Sequence, residues 1–350
     1  MDFTSDNAWG VAPEIMAALA EANHGSAASY GADDVTARVA SLMSDLFEHE
    51  VEIFPVATGT AANALALASL TPPWGAIFCH ELAHAHVDEC GAPELFSNGA
   101  KLVPVVGENG KIEPDAFRSA IRALPLGNVH NVQPSTLTLT QSTECGTIYS
   151  LDEIGALTDI AHSRDIAVHM DGARFANAIA ALNISPAEVT WKAGVDAMSF
   201  GATKNGAMAA EAVIFFDKRL ARDFAYRRKR GGHLFSKMRF LSAQLEAYLT
   251  GGLWLRLAAH ANIMAKDLAE GLHALPGVTL HFPVQANEIF VRLPVAVSEA
   301  LKTAGARFHP WPMAGDNDAA RTVRLVTSFR TEPSAVAEFL AHARDAAGRT

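Results

Sequence analysis

Between residues 51 and 216 the chain switches repeatedly between short apolar runs and longer helical stretches, and this alternation restricts the fold more than any other feature. Residues 51–57, 76–79, 101–106, 136–140, 166–170 and 195–200 read as strands, because apolar residues dominate short segments bounded by turn-forming ones. An alanine-rich stretch from Thr60, residues 114–124 and residues 151–163 read as helices between them. Strands alternating with helices predict an α/β domain with a largely parallel sheet. Ligands of such sheets bind at the carboxyl ends of the strands. Thr58-Gly59-Thr60, His84, Asp171 and Lys204 all fall at such ends.

Lys204 and Asp171 are expensive residues to place directly after buried strands, since an unpaired charge is costly to desolvate. A lysine there can simply lay its stem on apolar surface and keep its head wet. Alternatively its amine condenses with an aldehyde. Thr58-Gly59-Thr60 begins a helix, where free N–H groups and the helix dipole favour an anion, although ordinary N-capping uses the same residues. His80-Glu81-Leu82-Ala83-His84 fits a zinc-binding His-Glu-x-x-His pattern, with Glu81 as base. Residues 76–79 read as a strand, however, and no third ligand follows at a fixed spacing, so no metal is expected. Taken together, an amine at Lys204, an anion at Asp171, a phosphate cup at residues 58–60 and a flat ring at His84 match the needs of pyridoxal phosphate.

Outside this region, Pro13 opens a short helix, and Thr4-Ser5-Asp6-Asn7 before it could fold over a site. Residues 242–268 read as helical apart from Gly251-Gly252, and short strands and helices then alternate to the end. The expected division is an arm and helix over 1–30, a large cofactor domain over 31–245 and a small α+β domain over 246–350. A net charge of −10 argues against a nucleic-acid surface. No apolar run reaches the ~18 residues of a membrane helix. The N-terminus lacks signal-peptide character, and three widely spaced cysteines do not suggest a disulfide framework. A cytoplasmic protein is expected.

Over nearly its whole length the chain resembles the low-specificity L-threonine aldolases of the fold-type I pyridoxal-phosphate enzymes. The resemblance rests on Thr4-Ser-Asp, Tyr30-Gly31, Ala57-Thr-Gly-Thr-Ala-Ala-Asn63, His84 to Gly91, His169-Met-Asp-Gly-Ala-Arg174, Ser199-Phe-Gly-Ala-Thr-Lys-Asn-Gly206 and Arg324-Leu-Val-Thr327. It implies an aminotransferase-like large domain and retro-aldol cleavage of β-hydroxy-α-amino acids to glycine and an aldehyde. It implies that Lys204 carries the cofactor, Asp171 pairs its ring nitrogen, and Gly59 with Thr60 binds its phosphate. Ser5, Arg174 and Arg324 correspond to the groups that hold the substrate carboxylate, and Tyr30 joins them at the substrate. His84 takes the ring-stacking position, His130 matches a second active-site histidine, and the base is His84 or His130. Arg230 and Lys237 resemble groups reaching a partner subunit's phosphate, in a homotetramer with sites at dimer interfaces. Gln141-Ser-Thr-Glu144 departs from the family's commoner Glu-Asn-Thr-His-Asn. A related lyase acting on aryl β-hydroxy amino acids or by β-elimination would use the same residues.

Overall fold

Seven strands build the main sheet of the structure, a computed structural model describing residues 1–348. They are β1 (Glu52–Val56), β2 (Gly75–His80), β3 (Lys101–Val105), β4 (Gln133–Thr140), β5 (Ala167–Gly172), β6 (Ala197–Gly201) and β7 (Glu211–Phe215). Their order across the sheet is β1-β7-β6-β5-β4-β2-β3. The strands from β3 to β6 pair in parallel, while β7 pairs antiparallel with both β6 and β1. β1 therefore runs with the parallel set, and only β7 is reversed. This brings the carboxyl ends of β1, β2, β4, β5 and β6 to one edge, together with Glu211 at the start of β7.

A sheet covered on both faces reads as continuous apolar runs, and β2 and β6 are buried throughout. Side chains alternate between the faces. Ala197, Val213 and Phe215 meet the Gly59–Leu70 helix, whereas Met198, Phe200, Ala212 and Ile214 enter the larger core with Phe175 and Trp254. The Gly59–Leu70 helix is itself buried along most of its length, and its alanines let it lie close on the strands. At Gly201 a Cβ would stand 2.5 Å from the Ala173 carbonyl, so only glycine lets β6 pass there.

The second sheet is antiparallel, in the order β10-β11-β9-β8, from β8 (Thr279–Leu280), β9 (Glu288–Pro294), β10 (His309–Pro310) and β11 (Ala320–Val326). Ile289, Val291, Leu293, Val323 and Leu325 point into its core with Leu268 and Phe339. Alternation puts Glu288, Phe290 and Arg324 on the opposite face, and register pairs Arg324 with Phe290. The helix Leu253–His273 serves both cores, through Trp254 and Ala258 on one side and Met264 to Leu272 on the other. The first residues belong with the small sheet. Phe3 exchanges backbone hydrogen bonds with Arg307 and Val326, and its ring lies 5.1 Å from that of Phe339. The segment after it is thus drawn across the edge where the strand ends converge.

Candidate active site

Lys204 sits in a 3-10 turn, Thr203–Asn205, directly after β6. The turn is pinned on both sides of the lysine. Asn205 Nδ2 donates to Tyr248 Oη and to the Trp254 carbonyl, both at 2.8 Å, and Ala210 N–H donates to Thr203 Oγ1 at 3.2 Å. Gly206 closes it at φ 109°, a conformation that side-chain-bearing residues rarely adopt. The amine itself forms no hydrogen bond or ion pair among the described residues. It borders a cavity of about 400 Å³ at the strand-end edge.

Asp171, 4% exposed, is the penultimate residue of β5 and lines this cavity. Its carboxylate accepts from Ala173 N–H at 3.0 Å and from Asn63 Nδ2 at 2.7 Å. Asn63 Nδ2 also donates to Glu89 Oε1 at 2.8 Å, and Glu89 Oε1 meets His84 Nδ1 at 2.9 Å. One amide therefore separates two buried carboxylates and ties them to the histidine. The Glu89 contact raises the His84 pKa, and burial raises that of Glu89. Beneath Asp171, His169 bridges Thr138 and Ser199, and burial pushes its pKa down to about 4. It is a neutral link across the strands.

Thr58 caps the Gly59–Leu70 helix by accepting from Ala61 N–H at 3.2 Å. Residues 58–60 line the same cavity as Lys204 and Asp171. A second chamber of about 450 Å³ adjoins it, sharing Asn7, His84, Glu144, Arg174 and Lys204, and Ser5 and Arg324 line that chamber only. Arg174 is gripped by Asp6, through Nε at 2.7 Å and Nη2 at 3.1 Å, and faces Glu288 Oε2 at 2.9 Å. Burial alone would raise the Asp6 pKa, but Arg174 and then Lys204 hold it below the ordinary range. Burial raises Glu288, with Arg174 opposing. Arg324 lies 3.9 Å from Glu288 and stacks 4.8 Å from the Trp311 ring.

Most residues expected from the sequence thus converge, but not all do. His130 is exposed in the loop before β4, at the amino end of that strand, while the site lies at the carboxyl end. It borders neither chamber of its own chain. Tyr30, Arg230 and Lys237 also lie outside both chambers. They are exposed on neighbouring surface segments, where Tyr30 N–H donates to the Ser236 carbonyl and Lys229 lies over the Tyr30 ring. The zinc pattern is not on one helix. His80 ends β2 with both ring nitrogens engaged by backbone, and the helical turn starts only at His84. No group of three metal ligands occurs among the described residues.

Sequence reasoning missed several acids. Glu211 reaches the site because β7 is reversed, and burial pushes its pKa up to about 7. Glu288 escaped notice as an acid at the start of an apolar strand. Glu144 lies four residues beyond the end of β4, inside the segment that departs from the commoner pattern. Its Oε1 accepts from His84 N–H at 2.9 Å and Thr140 Oγ1 at 2.8 Å, while its buried Oε2 has no partner. Burial pushes its pKa up to about 7.

The residues fit pyridoxal phosphate on the structure's own terms. An amine without a partner faces a buried carboxylate fixed by two donors, and a buried helix offers its amino end to the same cavity. Such a fold with such a site is that of a pyridoxal-phosphate-dependent enzyme. The profile of the beta-eliminating lyase family matches residues 2–295. The chain is 45% identical over 342 residues to a low specificity L-threonine aldolase of Pseudomonas sp. (strain NCIMB 10558), covering 98% of this chain and 96% of the relative. It is 46% identical to that of Pseudomonas aeruginosa, covering 94% and 96%. The solved threonine aldolase of Leishmania major superposes with a TM-score of 0.93 at 28% identity, covering 99% of both chains. The chain belongs to the beta-eliminating lyase family, among the low-specificity L-threonine aldolases.

Proposed function

We propose that the protein cleaves L-threonine, L-allo-threonine and related L-β-hydroxy-α-amino acids reversibly to glycine and an aldehyde. The observation that carries this reading is the pairing of chambers: Lys204 and Asp171 face one, and two arginines open into the other. Pyridoxal phosphate, when bound, supplies the sink for the electrons released at the α-carbon. Lys204 would provide the amine that holds the cofactor. Asp171, held in place by two N–H donors, would pair with the ring nitrogen. Thr58, Gly59 and Thr60 receive the phosphate at the helix amino end. His84 takes the flat position over the ring. Arg174 and Arg324, with Ser5 from the arm, grip the substrate carboxylate and so decide which bond at the α-carbon is presented for cleavage.

Arg324 carries less structural burden than Arg174, because it has no close ion pair. Arg324→Ala is expected to raise KM for L-threonine about tenfold or more, with a smaller change in kcat. Steady-state kinetics check this; an unchanged KM would hand the carboxylate to another group, such as Arg330.

The second chamber also supports an aryl reading, since Leu82, Phe282, Phe290, Trp311 and Met313 give it an apolar wall. Product analysis with L-threonine and L-phenylserine tests both. Glycine with acetaldehyde or benzaldehyde is expected; 2-oxobutanoate or phenylpyruvate with ammonia would mean β-elimination instead.

The homotetramer belongs to the same proposal. Among the described residues, Lys204 and Arg174 are the only lysine or arginine lining the cofactor cavity. The exposed Arg230 and Lys237, with Tyr30 beside them, suit a neighbouring subunit's site. A cytoplasmic location fits the three free cysteines. No helix among the described residues is long and apolar enough to cross a membrane.

A further inference from the structure

The cleavage step requires a group that takes the β-hydroxyl proton, and within the reading above three side chains able to accept one line both chambers: Lys204, which is the amine assigned to the cofactor, His84 and Glu144. His84 is poorly placed to accept. Its Nδ1 is committed to Glu89 at 2.9 Å, and that contact raises the ring's pKa, so it is more readily protonated than a free imidazole. Glu144 is arranged in the opposite sense. Its Oε1 is saturated by His84 N–H and Thr140 Oγ1, which lock the carboxylate plane. Its Oε2 is shielded from solvent and has no protein partner. Asn63, Glu89 and Glu288 also have an oxygen without a hydrogen-bond partner, but of these residues Glu144 alone borders both chambers, and a substrate hydroxyl arriving at their junction supplies its partner.

We propose that Glu144 Oε2 accepts the β-hydroxyl proton in the cleavage step. The O–H electron pair becomes the second bond of the aldehyde carbonyl, and the Cα–Cβ bond breaks with its pair retained on the α-carbon side. A proton then added at the α-carbon completes glycine, and Glu144 returns its proton to solvent. Atoms balance as threonine to glycine plus acetaldehyde. In the reverse direction the protonated carboxyl donates to the forming alkoxide.

The surroundings poise the group for this work. Burial holds the Glu144 pKa near 7, and Asp171 raises it further. Arg174 faces it as the opposing cation, while Cys79, Cys145 and Tyr149 are neutral neighbours whose own pKa values are pushed up by burial. A base with a pKa near the working pH transfers protons most effectively.

The test compares wild type with Glu144→Gln, and with Glu144→Asp should the amide disturb folding. Glu144→Gln is expected to bind pyridoxal phosphate with unchanged visible absorbance and to lose about 10²–10⁴-fold in kcat for L-threonine. The rise of kcat/KM through pH 7 disappears with it. Exchange of the glycine α-proton in D2O, which involves no β-hydroxyl, continues. In the cofactor-free protein, an infrared titration shows a carboxyl band vanishing near pH 7, reduced in the variant. Retained threonine cleavage with an unmoved pH profile overturns the role of Glu144, and so does parallel loss of glycine exchange. A wild type that exchanges glycine but never cleaves threonine overturns the aldolase reading instead.

Discussion

Lys204→Ala loses L-threonine cleavage by more than about 10⁴-fold, the upper end of what removing a proton-transferring side chain alone costs. The turn that presents Lys204 is held by its neighbours Thr203 and Asn205, so the variant is expected to fold. The lysine has no ion pair to lose. Its charge nonetheless lowers the pKa values of Asp6, Glu211 and Glu288. Removing it raises all three in the folded state, so the variant is weaker above neutral pH and approaches wild type on acidification. Two readouts separate this modest stability effect from the chemical one. Borohydride treatment of the holoenzyme fixes the cofactor covalently to wild type, bleaching its visible band, and peptide mapping places it on Lys204. The variant releases its cofactor on denaturation. Undiminished turnover would remove Lys204 from the reaction.

The site was legible in the sequence where one strand end carries one expensive residue. Lys204, Asp171 and the Thr58 cap each follow an apolar run, and a parallel sheet forces such ends to one edge. The reading fell short where direction or distance along a strand mattered. His130 was near β4 in sequence, but at its amino end, some eight residues of extended chain from the site of its own chain. Glu211 was invisible because nothing local distinguishes a reversed β7 from another parallel strand. Glu144 and Glu288 were passed over because a carboxylate in an apolar context does not announce which chamber it will enter. Phe3 looked like part of a loose arm, yet its ring completes the small core, and that anchoring carries Ser5 and Asp6 to the site. Long-range placement of this kind has no periodic signature.

Arg174→Ala is expected to cost both stability and substrate binding, and the two losses can be separated. Arg174 compensates Asp6 and Glu288, which are 3% and 2% exposed. Removing one partner of a buried ionic cluster typically costs about 3–5 kcal/mol, because the remaining charges stay desolvated. The pH dependence follows from the directions of shift. In wild type the Asp6 pKa is depressed, so its contribution is complete above the unfolded value of 3.8 and fades only as pH falls through the lower folded value. Without the arginine, burial raises Asp6 and raises Glu288 further, and both protonate more readily. The stability gap between wild type and variant should therefore be widest near pH 8 and narrow towards pH 5, as followed by thermal unfolding of the holoenzyme. Arg174→Met combined with Asp6→Asn and Glu288→Gln removes the stranded charges and should recover most of the lost stability. KM for L-threonine should stay elevated in that variant, because the carboxylate still lacks its ligand. A triple variant that regains stability and a wild-type KM together would reduce Arg174 to a purely structural ion-pair partner. A gap that widens on acidification would show that Asp6 and Glu288 are not the charges left behind.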